Sequence, residues 1–485
     1  MEVPRSVILV TVDCLRADHV GFNGYSRPTT PYLDSLAEES AVFSNAIVAG
    51  TPTYYSFPGI MASRHPMALG RDVVGLSPAE PTLATVLQEA GYATGAFLAA
   101  NPYLSPRFGY ERGFDTFRDF LDEKVVPSDC SILAVEGSSF RSTTNRVLRD
   151  LSHRMGPVGD WYDELYFRYG QRKAPAITSM KTLQRFPSAD KIVDTALDWL
   201  GTAGNRPFFL WLHLMDPHAP YYPPEEALAW MGDAVIPERA RYVNSFWNRG
   251  GLSAGRFVAW KEQITGLYDA GIRWVDAQVK RLVAAVREAG RWQNCVFALT
   301  ADHGEQFLDH GERYHAPAKL TEELIRVPLL LRLPERRKRR VPSPFSLLRV
   351  APTILETVGV SLPREFQGHT LGNEEGNAVA IAECVAGCNN PYRQQDRMGA
   401  RVLAIREQRH KLTVDFRSKR VDLFDLQEDP EEAWPLSEEV EKPVRRRLLE
   451  CARLHLERSQ GVGDPVVRLR ARLNDLRAEL QSTTS

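Results

Sequence analysis

Three things are scarce in this sequence: cysteine, long apolar runs and net charge. Six cysteines (Cys14, Cys130, Cys295, Cys384, Cys388 and Cys451) lie scattered through 485 residues. That is too thin for a disulfide scaffold. "CVAGC" (384–388) has loose spacing and no second pair, so it reads as two ordinary thiols rather than a metal or redox motif. No run of 18 apolar residues occurs, which excludes an apolar spanning helix. The start, "MEVPRSVILVTVD", lacks the charged, apolar and cleavage regions of a secretory signal. With a formal net charge of −1, nothing global favours nucleic acid or an anionic membrane. The basic run "RRKRR" (336–340) reads as a solvated loop. Neither an internal repeat nor a low-complexity segment is present. The expectation is a cytoplasmic globular protein with one large domain and an appendage, or with two domains.

What is present is a strand–helix alternation. "SVILVTV" (6–12), "FFLWLHLM" (208–215), "CVFALTA" (295–301) and "VPLLLRL" (327–333) are short, uninterrupted apolar runs. Such runs suit strands buried on both faces of a parallel sheet. Between them lie helical patterns at 30–40, 81–91, 189–204 and 263–290. The predicted fold is therefore doubly wound α/β, with a mostly parallel sheet flanked by helices. Residues 1–375 form the main domain, and the less regular 120–188 a cap or insertion. Residues 376–436 form a small antiparallel subdomain, with a meander over 401–432. A helical tail fills 437–485. Its stretch "DPVVRLRARLNDLRAELQS" (464–482) carries Val466, Leu469, Leu473, Leu476 and Leu480 on one apolar face. That face docks on its own chain or forms a contact between subunits.

Three of the predicted core strands run into an acid: Asp13, Asp216 and Asp302. Ligands of open α/β sheets bind outside the carboxyl ends of the strands, so these acids are expected along one edge. Any single one would read as a helix N-cap. Two of them are followed by histidine, as Asp302-His303 and Asp216-Pro217-His218, and oxygen with imidazole suits a divalent cation. Downstream, "DHGEQFLDHGERYHAPAKLTEEL" (302–324) gathers His303, His310, His315 and Lys319, from a chain of eleven histidines. This reads as an active-site loop in which His310 is structural.

These residues resemble the sulfatase family of the alkaline phosphatase superfamily. "VILVTVDCLRADHVGFNGYSRPTTPYLDSLAEESAVFSNA" is similar to the family's opening. "PFFLWLHLMDPHAPYYPP" and "LTADHGEQFLDHGE" are similar to its middle and late blocks. "RVPLLLRLP", "APTILETVGV" and "VDLFDLQEDPEE" follow in the family's order. The resemblance implies that Asp13, Asp302 and His303 bind one divalent metal (Ca2+, Mn2+, Mg2+ or Zn2+). It implies that His218 contacts the ester or its leaving group and that His315 lies near the leaving oxygen. Asn101 falls where many sulfatases carry a histidine. Asn101, Asp216 and Lys319 are the expected substrate contacts.

Three positions depart from the family pattern. Counting back from "PGIMASRHP", the residue that sulfatases oxidise to formylglycine is Thr53, and the arginine that follows in their motif is Phe57. Threonine cannot give the aldehyde, because its Cβ carries a methyl group, so no formylglycine is expected. The second aspartate of the family's opening pair is Cys14, either a bystander facing the site or, by strand alternation, turned away from Asp13, and in neither case the nucleophile. A lysine position is Ala99. Branches of the superfamily use threonine directly, and a metal-activated Thr53 hydroxyl would be both nucleophile and metal ligand. Its place as an N-cap is compatible with that role. Tyr54 and Tyr55 read as packing residues. The reading is a metal-dependent hydrolase of a small-molecule, glycan or lipid ester, of phosphate in preference to sulfate. The alternatives are a phosphoryl transferase of the same superfamily and an inactive sulfatase-like binding protein.

Overall fold

The computed structural model describes residues 5–70, 73–122, 157–204, 206–316, 319–334, 338–371 and 379–463. Its centre is a nine-stranded sheet. The strands in chain order are β1 (Ser6–Val12), β2 (Ala41–Ile47), β3 (Ala93–Leu98), β4 (Thr116–Arg118), β5 (Phe208–Leu214) and β6 (Cys295–Ala301). A small hairpin, β7 (Gln306–Phe307) and β8 (Arg313–Tyr314), precedes β9 (Arg326–Arg332), β10 (Arg339–Val341) and β11 (Phe345–Ser346). The spatial order is β10-β2-β9-β6-β1-β5-β3-β4, with β11 also beside β2. Only β9 runs antiparallel to its neighbours. Every residue of β1, β5 and β6 is buried, as continuous apolar runs require of strands covered on both faces.

Helices flank this sheet. The helix Ala189–Thr202 packs on β3 and β5 and against the long helix Val258–Glu288, which also meets α1 (Pro31–Ala37). A second group joins α2 (Thr53–Ala62), α3 (Leu83–Glu89) and the helix Val350–Thr357. β3 must carry Gly95, since a Cβ there would lie 2.7 Å from the Trp199 ring. This close approach seats the helix Ala189–Thr202 on the sheet.

The C-terminal sheet is antiparallel, in the order β12 (Val379–Val385), β13 (Arg401–Glu407), β14 (His410–Asp415), β15 (Arg420–Asp425). It therefore starts one strand earlier than the meander read from sequence. Leu403, Ile405, Leu412 and Leu423 form a core with Val444, Leu448 and Ala452 of the helix Lys442–Gly463. Ala380, Ala382 and Cys384 of β12 join the main core instead. The Glu383 amide donates to the Ala49 carbonyl at 2.9 Å, just before α2. The apolar heptad pattern over 464–482 lies outside the described residues. Among those described, no helix is long and apolar enough to cross a membrane.

Candidate active site

The register of the three central strands decides which of their terminal residues meet. Val12 stands opposite Ala301 of β6 and Leu214 of β5. Asp13 and Asp302 are thus level, at the carboxyl edge. On β5 the level residue is Met215, so Asp216 comes one residue late. Side chains alternate along an extended chain, and one residue reverses the direction. Asp216 accordingly leaves the cluster, contrary to the sequence expectation. Its carboxylate accepts from Ser188 Oγ at 3.1 Å and from the Ala189 amide at 3.1 and 3.2 Å, capping the helix Ala189–Thr202. His213 takes the place in the cluster instead. It is level with Thr11, two residues before Asp13, and its Nε2 lies 3.3 Å from Asp13 Oδ2. A lone histidine inside "FFLWLHLM" was the available signal.

Thr53 opens α2 and is buried. Its Oγ1 lies 3.3 Å from His303 Nε2. His303 Nδ1 donates to the Gly304 carbonyl at 2.9 Å, which leaves Nε2 with a free lone pair towards Thr53 and the carboxylates. That Nε2 stands 3.5 Å from Asp302 Oδ2 and 3.8 Å from Asp13 Oδ1. Position 304 has to be glycine, because a Cβ would sit 1.9 Å from the Glu323 carbonyl oxygen.

Cys14 does not turn away. The strand ends at Val12, and Cys14 adopts φ 60°, the left-handed region, which breaks the alternation. Its Sγ lies 3.2 Å from Asp13 Oδ1 and 3.5 Å from His315 Nδ1. Asn101 is present too: its Nδ2 donates to Asp13 Oδ2 at 2.9 Å. His315 Nδ1 lies 3.1 Å from Glu305 Oε1, a fully buried carboxylate that also accepts from the Tyr221 hydroxyl at 3.0 Å. Glu305 was not read from the sequence, where its position within "DHGEQF" was the only hint. His218 Nδ1 donates to the Ala219 carbonyl at 2.6 Å. Its ring lies 5.2 Å from that of His315, and Phe186 packs edge-on against its other side. Lys319 stands apart, 3.4 Å from Glu312, and His310 pairs with Glu323 at 3.6 Å.

The electrostatics fit a cation. Burial alone would raise the Asp13 carboxyl, but His218, the His213 hydrogen bond and His303 outweigh it and hold it well below the usual carboxylate range. Asp302 is raised, by burial first and then by the charge of Asp13. Two buried carboxylates level on one edge disfavour each other's charge unless a cation lies between them. Asp302 Oδ2 is buried with no hydrogen-bond partner among the described residues. Ligand atoms of Asp13, Asp302 and His303 all lie within 4.8 Å of one another. The donor set therefore fits a divalent ion.

The model for the family described as Sulfatase matches residues 5–360. The chain belongs to the sulfatase family. A model for the C-terminal region of N-sulphoglucosamine sulphohydrolase matches residues 312–455. Arylsulfatase K of Mus musculus is 26% identical over 315 residues, covering 58% of this chain and 56% of that protein. The match thus spans little more than half of that relative's length. An arylsulfatase of Clostridium perfringens is 24% identical over 403 residues, covering 77% of this chain and 79% of that protein. Among solved structures, the phosphonate monoester hydrolase of Agrobacterium radiobacter superposes with a TM-score of 0.67 at 17% identity, covering 94% of this chain and 96% of that one. Its likeness is one of fold.

Two of the positions that the sequence comparison with the family pattern singled out are apolar and buried. Phe57, at the motif's arginine position, is fully buried and packs edge-on against His213, ring centroids 5.2 Å apart. Ala99, at the lysine position, is buried as well.

Proposed function

We propose that this sulfatase-family chain hydrolyses an ester of phosphate, or less readily of sulfate, through direct attack by Thr53. The observation that carries this reading is Thr53 Oγ1 at 3.3 Å from His303 Nε2, beside a carboxylate pair whose Asp302 Oδ2 has no hydrogen-bond partner among the described residues. Asp13, Asp302 and His303, with Thr53, would hold one divalent ion. When bound, that ion supplies charge that activates the hydroxyl and neutralises a nonbridging oxygen of the ester.

Thr53 begins a ten-residue helix, so the ester's anionic group meets the positive end of the helix dipole. The Thr53 oxygen bonds to phosphorus or sulfur, and the bond to the leaving oxygen breaks. That oxygen takes a proton from His218 or His315. Each holds its Nδ1 in a hydrogen bond, to Ala219 or Glu305, and so keeps Nε2 for the reaction. Water then cleaves the Thr53 ester, with the same imidazole taking back a proton. Loss of the sulfatase arginine and lysine supports phosphate over sulfate.

The test is a panel of aryl phosphate mono- and diesters and aryl sulfates, with added Mn2+, Ca2+, Mg2+ or Zn2+. Wild type should turn over phosphate esters only with metal, and Thr53→Ala should lose about a thousandfold or more in kcat. Turnover unchanged in Thr53→Ala would refute the assignment.

A further inference from the structure

A second cavity, of about 400 Å3, opens between the central sheet and the C-terminal sheet, and none of the residues gathered around Thr53 lines it. Three arginines do: Arg326 at the start of β9, Arg406 of β13, and Arg409 in the turn between β13 and β14. Glu322 is the one carboxylate of the lining among the described residues, and Asn45 and Gln427 add side-chain amides. A guanidinium that is fully paired meets its carboxylate through short, often doubled hydrogen bonds. Here one carboxylate is divided among several cations. Glu322 Oε2 stands 3.6 Å from Arg406 Nε and 3.9 Å from Arg326 Nε, and Oε1 stands 3.4 Å from Lys411 Nζ. Lys411 has a second carboxylate, Glu432, at 2.7 Å. Arg326 and Arg406 therefore share what remains of Glu322 at distances too long for a hydrogen bond. Arg409 is better served, with Nε 3.3 Å from Asp425 and Nη2 3.5 Å from Glu441.

Arg406 carries the argument furthest. It is only 5% exposed, yet its Nε is buried with no hydrogen-bond partner among the described residues. Its Nη1 reaches the His410 carbonyl at 3.5 Å. Burial pulls its guanidinium below its ordinary value, and Glu322 opposes that only in part. A buried charge without a close counter-charge is costly, so a fold that keeps one at a cavity wall leaves room for an anion there. A carboxylate would occupy a single guanidinium fork, whereas a phosphate offers charge and oxygens enough for two. The volume lies within the range of about 300–1,000 Å3 typical of small-molecule sites, and it exceeds what a phosphate alone would fill. We propose that this cavity binds the phosphate group of a small phosphorylated molecule, held by Arg326 and Arg406 with Arg409 beside them. No bond is made or broken, and the site is independent of the Thr53 chemistry.

Calorimetry on the full-length, metal-loaded protein tests it. The probes are inorganic phosphate and phenylphosphonate, which has no ester bond to cleave, with acetate as the carboxylate control. Arg326→Gln should weaken one phosphate-binding event by about 10- to 100-fold and leave any binding at the Thr53 site unchanged. Arg406→Met should abolish the same event, with circular dichroism monitoring the fold. If Arg406→Met does not fold, Arg326→Gln alone decides. Phenylphosphonate bound at least as tightly as phosphate, with the same response to Arg326→Gln, would assign the site to a phosphate carried on a molecule. Phosphate binding that is absent, or that survives Arg326→Gln unchanged in every event, would overturn the proposal. Acetate binding this site as tightly as phosphate would overturn the choice of phosphate.

Discussion

At the residue scale, the site is a set of side chains whose roles follow from what holds them. Glu305 never reaches the carboxylate pair, yet it fixes His315 through Nδ1. Burial alone would raise the Glu305 carboxyl, but the neighbouring His315, His218 and His303 outweigh it and keep it below its usual range. It therefore stays ionised and holds the His315 ring through that contact. If His315 is the leaving-group acid, Glu305→Gln should lower kcat by about 100-fold while leaving KM little changed. A merely structural Glu305 would lower Tm and activity together without that split. Asp13, Asp302, His303 and Thr53 were legible in the sequence because strand ends and the family's motif order point at them. The direction of Cys14 and the reach of Asp216 were hard to read for one shared reason: each lies just past a strand end, where a single φ or a one-residue offset reverses direction.

At the scale of elements, two buried groups join pieces of the fold in ways that pH should reveal. Asp216 caps the helix Ala189–Thr202, and burial, despite those hydrogen bonds, raises its carboxyl from the usual value near 4 to about 7. The folded state then holds a proton that the unfolded chain has lost. Stability from this group is present below pH 4 and falls as pH rises towards 7. Asp216→Asn keeps an N-cap without the charge. It should raise Tm at pH 8 and have little effect at pH 4, by thermal unfolding across that range. An equal change at both pH values would contradict the linkage.

His65, just after α2, gives the opposite sign. Its ring packs 4.5 Å from that of His455 in the helix Lys442–Gly463, and His455 Nε2 lies 3.0 Å from Glu383 of β12. Burial first, then the neighbouring His455, lowers His65 to about 3. The folded state holds it neutral while the unfolded chain protonates it near pH 6.5, so stability present above that pH is lost as pH falls towards 3. His65→Phe should flatten the drop in Tm between pH 7 and pH 5. A drop as steep as in wild type would show that other groups carry the acid sensitivity.

At the scale of the whole molecule, a doubly wound sheet and a smaller antiparallel sheet share one core through β12. The continuous apolar runs announced β1, β5, β6 and β9. β2 and β3 were harder to see: Ser44 and Asn45 interrupt the first, and small residues with Gly95 dilute the second. β12 escaped notice because its partners lie in two layers, which blurs any simple alternation. Leu448 is fully buried between the C-terminal helix and its sheet. Leu448→Ala should cost about 2–5 kcal/mol in denaturant unfolding. A cost near zero would mean that this helix is not part of the cooperative core.

Covalent attack by Thr53 leaves an intermediate that rapid quenching can trap. The metal-loaded protein is mixed with an aryl phosphate, quenched in acid during turnover, digested, and the peptide containing Thr53 examined by mass spectrometry. The expected result is one added phosphoryl group on Thr53, absent without metal. A Thr53 peptide that stays unmodified while phosphate is released at the full rate would contradict it.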